Sequence, residues 1–246
     1  KYNKEDQNKL FVTKPLYQRA LIVAGGPLAN FVLAIFIFLF IYMFVGKDFT
    51  PAVINEVKKD TPAQIAGLKK NDIILEIDNT KVESILGVSK LIMMSTSEYI
   101  NFKVLRNRNE LILRVKPIKI VAEDNLGNKI NKRIVGIKIS PYNNEINHVK
   151  LGPSRALLES FKEVYFVTTS SLKYLGSMLK GSGDSSQLGG PIRIAKMSGQ
   201  VAEIGILPFI SMMAYISISL GLINLFPIPL LDGGHLMFYA FEKVLG

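Results

Sequence analysis

Two uncharged runs frame a patterned polar stretch. The first, "ALIVAGGPLANFVLAIFIFLFIYMFVG", fills residues 20–46, and the second, "IGILPFISMMAYISISLGLINLFPIPLL", runs from Ile204 to Leu231. A bilayer core needs about 20 apolar residues of helix, and a buried core helix of that length rarely lacks a charge. Transmembrane segments are therefore expected over 20–46 and 204–236. Between them the period changes. "AVINEV" and "DIILEID" predict strands, and "TPAQIAG" predicts one helical turn, with Thr61 as cap, Pro62 in the first helical position and Gly67 closing it in the left-handed region. "SILGVSKLIMMS" has helical apolar spacing at Ile85, Val88, Leu91 and Ile92. "YINFKVLR" and "ELILRVKP" alternate around "NRN" as a hairpin. Strand, short helix, strand, helix and hairpin make a compact α+β domain over 51–117.

Residues 118–150 predict a second hairpin, "IKIVAE" and "RIVGIKIS" about the turn "DNLGNK", followed by polar linker. Within 151–203, "PSRALLESFKEVYFVTTSSLKYLGSMLKG" predicts an amphipathic helix beginning at Pro153 or Ser154 and ending at Gly181. It is too charged to span a bilayer and suits either the membrane surface or the face of the α+β domain. "GSGDSSQLGGPIRIAKMSG" reads as loop, and 237–246 as the start of another helix. The fold class expected is an α-helical polytopic membrane protein with an inserted α+β domain and an amphipathic surface helix.

Composition agrees with that layout. Hydrophobic residues make up 48% of the 246, and the absence of cysteine excludes disulfides and thiolate metal sites. The net charge of +10 would suit nucleic acid, but no recognition motif is present. Part of the excess lies in segment 1–19, where Lys1, Lys4, Lys9, Lys14 and Arg19 outnumber Glu5 and Asp6. The positive-inside rule makes that flank cytoplasmic.

Candidate chemistry sits where the two apolar runs become irregular. In the first, Gly25, Gly26, Pro27, Ala29 and Asn30 are small, helix-breaking or polar. Such a face either packs against another helix or lines a site. The second is interrupted by Pro227 and Pro229, which remove two backbone donors and restrict the residues before them. Non-helical backbone at membrane depth survives only when buried in protein or lining a wet cavity. Asp232, Gly233 and Gly234 follow. A carboxylate in low dielectric is costly unless paired or on a metal. Two readings stand: the span ends before Pro227 and Asp232 caps a helix in water, or Asp232 is a ligand held by a broken helix. His235 is three residues on, but an Asp/His pair alone is an incomplete site.

Two resemblances extend this. Asp60–Val82, "DTPAQIAGLKKNDIILEIDNTKV", resembles the bacterial PDZ pattern. A PDZ domain adds an extended peptide or C-terminus as a strand at a sheet edge, or it serves only as a steric guard; its carboxylate-binding loop is expected near "FTPAVI". "NLFPIPLLDGGHL" resembles the N-x-x-P-x-P-x-L-D-G signature of the site-2 intramembrane metalloproteases. "YQRALIVAGGPLANF" is similar to the second transmembrane helix of the bacterial RseP-type branch, with Gly26, Pro27 and Asn30 on its G-P-x-x-N motif, and "LGGPIRIAK" to the segment before the third. The resemblance implies a Zn²⁺ site with Asp232 as third protein ligand and Asn224 engaging an extended substrate. Gly26, Pro27, Asn30, Pro227, Pro229 and Gly233 would line the site. It places two histidines and a general-base glutamate, in H-E-x-x-H, upstream of Lys1, since His148 and His235 lie in no such motif, and a last helix after Gly246. The implied activity is intramembrane cleavage of pre-trimmed single-span proteins, anti-sigma factors or remnant signal peptides. The implied setting is the lipid bilayer of the bacterial inner membrane, with the PDZ domain periplasmic. The rival reading is a non-catalytic, membrane-anchored PDZ adaptor.

Overall fold

The computed structural model describes residues 10–123, 129–142, 145–181 and 190–245. Residues 1–9, nearly all of the turn "DNLGNK" and of the loop "GSGDSSQLGG", and Gly246 lie outside the described residues. The helices are α1 (Leu16–Phe40), α2 (Pro62–Ile65), α3 (Ile85–Met94), α4 (Pro153–Leu179), α5 (Pro191–Ile204), α6 (Ile206–Asn224) and α7 (Asp232–Leu245). The chain divides into two units. The first comprises residues 1–41, 153–168 and 201–246; the second comprises 42–152 and 169–200.

In the first unit, α1 starts at Leu16, directly after Pro15, and the helix continues from Ile41 to Val45 as a π-turn. Leu16–Val45 and Ile206–Asn224, with mean hydropathies of 2.7 and 2.0, are long and apolar enough to cross a membrane. Only 17% and 28% of their most apolar windows are buried. A soluble core helix would be mostly buried, so these helices present hydrocarbon outward. They meet through small residues: Ala34 and Ala214 are fully buried, and the Ser217 hydroxyl donates to the Asn30 carbonyl at 2.8 Å. Phe38 and Tyr215 make an edge-to-face pair with centroids 5.4 Å apart.

The first part of α4 also belongs to this unit, and the Tyr215 hydroxyl donates to Glu163 at 2.9 Å. Its buried positions are Ala156, Glu159, Ser160, Val164 and Val167, whereas Leu157, Leu158, Phe161 and Tyr165 are exposed. The bulky stripe that marks the helix as amphipathic is thus largely its outward face. A second correction concerns Pro191–Gly199, which is helical rather than loop. Proline fits the first turn of a helix, where its missing N–H is not needed, so here it opens α5 rather than interrupting structure.

The second unit is built on β2 (Ala52–Val57), β3 (Ile73–Ile77), β4 (Thr80–Lys81), β5 (Ile100–Arg106), β6 (Asn109–Val115) and β9 (Ile137–Pro141), in the order β6-β5-β3-β2-β9 with β4 on β3. All these pairs are antiparallel. The turns Asp78-Asn79 and Asn107-Arg108 have positive φ at both central residues, 47° and 62° in one and 49° and 68° in the other. This mirror-image turn matches strand twist. On one face α3 covers a core that includes Ile54, Ile74, Ile77, Val88, Phe102 and Val104. Ser84 caps α3 by accepting from Gly87 N–H at 3.2 Å. Thr61 precedes α2 as expected and Gly67 closes it at φ +84°, but the Thr61 hydroxyl donates to the Lys58 carbonyl at 2.6 Å and caps nothing. Gln64 Oε1 instead accepts from Asp60 N–H at 2.7 Å.

The expected hairpin over 118–140 is only partly one. β7 (Ile118–Glu123) pairs with β8 (Lys129–Ile134) as a separate ribbon. "RIVGIKIS" is then broken at Gly136, whose φ of +90° turns the chain so that β9 joins β2, from Ala52↔Pro141 to Val57↔Ile137. The sheet therefore extends past residue 117, and the linker beyond it contains β10 (His148–Val149), paired with β1 (Lys47–Asp48).

An ion pair between a buried carboxylate and a half-buried guanidinium ties this unit together. Asp72 is fully buried; it accepts from Arg106 Nε and Nη2, each at 2.7 Å, and from Lys69 N–H at 2.9 Å. Arg106 also donates to the Gly67 carbonyl at 2.7 Å. The carboxylate bond raises the pKa of the Arg106 guanidinium above its ordinary value. Asp72→Ala removes the charged acceptor of these bonds and is expected to cost about 1.5–3 kcal/mol in denaturant unfolding. A loss under about 1 kcal/mol, the range of an exposed pair, would overturn the assignment.

Candidate metal centre

Helix α6 ends at Asn224, and residues 225–231 form a compact non-helical link to α7. Ile228 N–H donates to the Phe226 carbonyl at 2.7 Å and Leu231 N–H to the Ile228 carbonyl at 3.1 Å. Leu230, 97% exposed, is held at φ +81°. This link lies directly on the first turn of α7. A Cβ on Gly233 would stand 2.2 Å from the Leu225 carbonyl oxygen, and one on Gly234 2.4 Å from that of Ile228. No other residue permits that approach.

Asp232 is the first residue of α7 and is half-buried. Its position is that of a helix cap, yet it does not act as one. Gly234 and His235 N–H donate to the Leu231 carbonyl, at 3.0 and 3.4 Å. Backbone closes the helix start, and among the described residues no group donates to the Asp232 carboxylate. Helix α1 passes beside it: a Cβ on Gly26 would lie 3.3 Å from Asp232 Oδ2.

The other predicted positions separate. Pro27 is fully buried, and its carbonyl oxygen, the Phe31 ring and Asn30 Cβ lie 3.0, 3.1 and 3.2 Å from where a Gly221 Cβ would stand. Pro27 and Asn30 thus face α6 as helix packing, while Gly26 faces the carboxylate. Asn224 is half-buried in the last turn of α6; Pro227, Pro229 and His235 are exposed.

A half-buried carboxylate that no described residue bonds is a hard oxygen donor suited to a divalent cation such as Zn²⁺. Among the described residues no three His, Cys, Asp or Glu side chains gather. The residues present therefore fit one corner of a metal site. Clefts of about 640 and 550 Å³ open on the second unit and are lined by none of the predicted site residues.

One contact is absent from the sequence reading, which counts Arg19 only as flanking charge. Arg19 Nη2 donates to Glu242 Oε1 at 2.6 Å, and its guanidinium stands 5.1 Å from the Tyr239 ring centroid. The signal available was spacing: Arg19 precedes Gly26 by the same seven residues that separate Asp232 from Tyr239.

The peptide-accepting loop expected near "FTPAVI" is not at a free edge. β2 has a strand on each side, and Thr50 is fully buried, with its hydroxyl bonded to Asp48 and accepting from Asn147 N–H at 2.8 Å. The outer strand on that side is β9.

The family described as peptidase family M50 matches residues 1–246. A predicted zinc metalloprotease of Agrobacterium fabrum is 38% identical over 231 residues, covering 94% of this chain and 61% of that protein. Metalloprotease MmpA of Caulobacter vibrioides is 31% identical over 251 residues, covering 96% of this chain and 62% of its own. The chain thus spans less than two thirds of the length of these relatives. Among solved structures, the PDZ domain of the SdrC-like protein from Listeria monocytogenes aligns with 37% of this chain and 87% of its own, at 21% identity and a TM-score of 0.30.

Proposed function

Because the chain belongs to peptidase family M50, we propose that it is part of an intramembrane zinc endopeptidase of the RseP type in which Asp232 is a protein ligand of the metal. The observation that carries this reading is the Asp232 carboxylate, set at a break between two helices, beside Gly26 and bonded to no described residue. The other ligands, two histidines, and the general-base glutamate are assigned to residues outside Lys1–Gly246. Bound there, Zn²⁺ would supply a water with its pKa lowered towards about 7 for attack on a peptide carbonyl.

The chain's own residues do the rest. Asp232 holds its Oδ2 close to α1 at the point where Gly26 carries no side chain. Gly233 and Gly234 keep the 225–231 link against α7, so the carboxylate has a fixed place. A helical substrate hides its carbonyls in internal hydrogen bonds, so the cleaved segment must unwind. Asn224, at the last turn of α6, offers its amide to such an extended strand. Pro227 and Pro229 keep the link non-helical at membrane depth. The substrates are single-span proteins already trimmed outside the bilayer, and the setting is the bacterial inner membrane, with the sheet-bearing unit periplasmic.

The test uses the full-length protein in detergent or liposomes with a single-span substrate. Chelation is expected to stop cleavage, and stoichiometric zinc to restore it. Cleavage that continues after zinc is removed would sink the reading.

A further inference from the structure

The contact between Arg19 and α7 lies away from Asp232, yet the same two helices carry both. Gly26 meets Asp232, and Arg19 meets Tyr239 and Glu242. Residue numbers fall along α1 as they rise along α7, so the helices are antiparallel at this seam. Seven residues separate the two contacts on α1, and seven separate Asp232 from Tyr239. Seven residues are nearly two full turns, about 10.5 Å of rise, and return to the same face. The seam therefore has two fixed points in register, one polar clamp and one close approach.

The clamp is built for position. Arg19 reaches between two residues one turn apart, bonding Glu242 through Nη2 and lying over the Tyr239 ring. Its Nε is buried without a hydrogen-bond partner among the described residues. A sealed N–H is costly, so the head group is held where ring and carboxylate put it rather than where its own hydrogen bonding would be complete. At the other end, a one-turn slide of α7 would carry Asp232 from Gly26 to a position bearing a side chain, Val23 or Asn30. Both ends of the seam resist that slide.

We propose that Arg19, Tyr239 and Glu242 form a register lock that positions Asp232 for the metal. Arg19 is a positioning residue: it acts on the site through the rotation and height of α7. The inference rests on the reading of Asp232 as a zinc ligand.

The test is zinc affinity by chelator competition in the full-length protein, for Arg19→Glu, Glu242→Arg and the double exchange, alongside melting of the zinc-free forms. Each single change opposes like charges and is expected to raise the zinc dissociation constant about tenfold or more, because a small displacement of a positioned group is costly at the site it serves. The zinc-free melting temperature stays at the wild-type value. The double exchange restores an opposite pair and recovers most of the lost affinity. Wild-type affinity in the single variants, melting that falls in parallel with affinity, or no recovery in the exchange would each overturn the lock. Asp232→Asn run beside them separates the two ideas. If it loses zinc while the Arg19 and Glu242 variants keep it, the lock alone fails; if it binds zinc as tightly as wild type, the ligand reading fails and the lock with it.

Discussion

Asp232→Asn in the full-length protein is expected to lose zinc and membrane-peptide cleavage together while the fold stays intact. The carboxamide keeps the shape of the side chain but removes its charge, and a neutral amide oxygen is a poor ligand for Zn²⁺ beside imidazoles. Loss of an outer partner to a ligand already costs about 10–100-fold in affinity; loss of the ligand itself should exceed that. Stability of the zinc-free protein should barely move, because no described residue bonds the carboxylate and the helix start is closed by the Leu231 carbonyl. Surface-like changes of this kind stay within about 0.5 kcal/mol. Zinc content by mass spectrometry, cleavage of a single-span substrate and thermal melting of the zinc-free forms are the three readouts. Retained zinc, or a collapse of the melting temperature, would each contradict the assignment.

Gly233→Ala is expected to be as damaging by a different route. Its Cβ would lie 2.2 Å from the Leu225 carbonyl oxygen and 2.4 Å from that of Phe226, both backbone atoms that cannot swing aside. Overpacking of this kind costs about 1–3 kcal/mol. The larger effect falls on activity, since pushing the link off α7 moves Asp232, and a displacement of about 1 Å at a reacting centre can cost about 100-fold. Gly25→Ala is the control, as its Cβ would meet nothing within 4 Å. It should leave cleavage unchanged and can raise the melting temperature, because alanine is the better helix former. Equal behaviour of the two variants would refute the packing argument.

What could be read from the sequence depended on how local each signal is. The long apolar runs, α3 and the β5–β6 hairpin leave their period in consecutive residues, and each appears close to its expected place. The pairing of β2 with β9 joins residues 52–57 to 137–141 and leaves no trace in either stretch alone. The strand reading of "RIVGIKIS" hid the turn because Gly136 sits inside an apolar alternation. On α4 the usual rule inverts. Large apolar residues are usually the inner face, but Leu157, Phe161 and Tyr165 are exposed while Ala156 and Ser160 are buried. At the candidate site, the motif pointed to Asp232 and Gly26, whereas their proximity and the clamp at Arg19 depend on how two helices cross, which spacing hints at and only coordinates display.

The short pairing of β1 with β10 gives the sheet an unusual kind of independence. Lys47 faces Val149 and Asp48 faces His148, so the chain departs and returns through neighbouring strands, about 5 Å apart. To the polypeptide on either side, the whole excursion from Phe49 to Asn147 is equivalent to a hairpin tip. A longer, shorter or altogether different module could occupy that loop without changing the distance the flanking chain must close. The sheet is in this sense an exchangeable cartridge, and the two-residue ribbon is its socket.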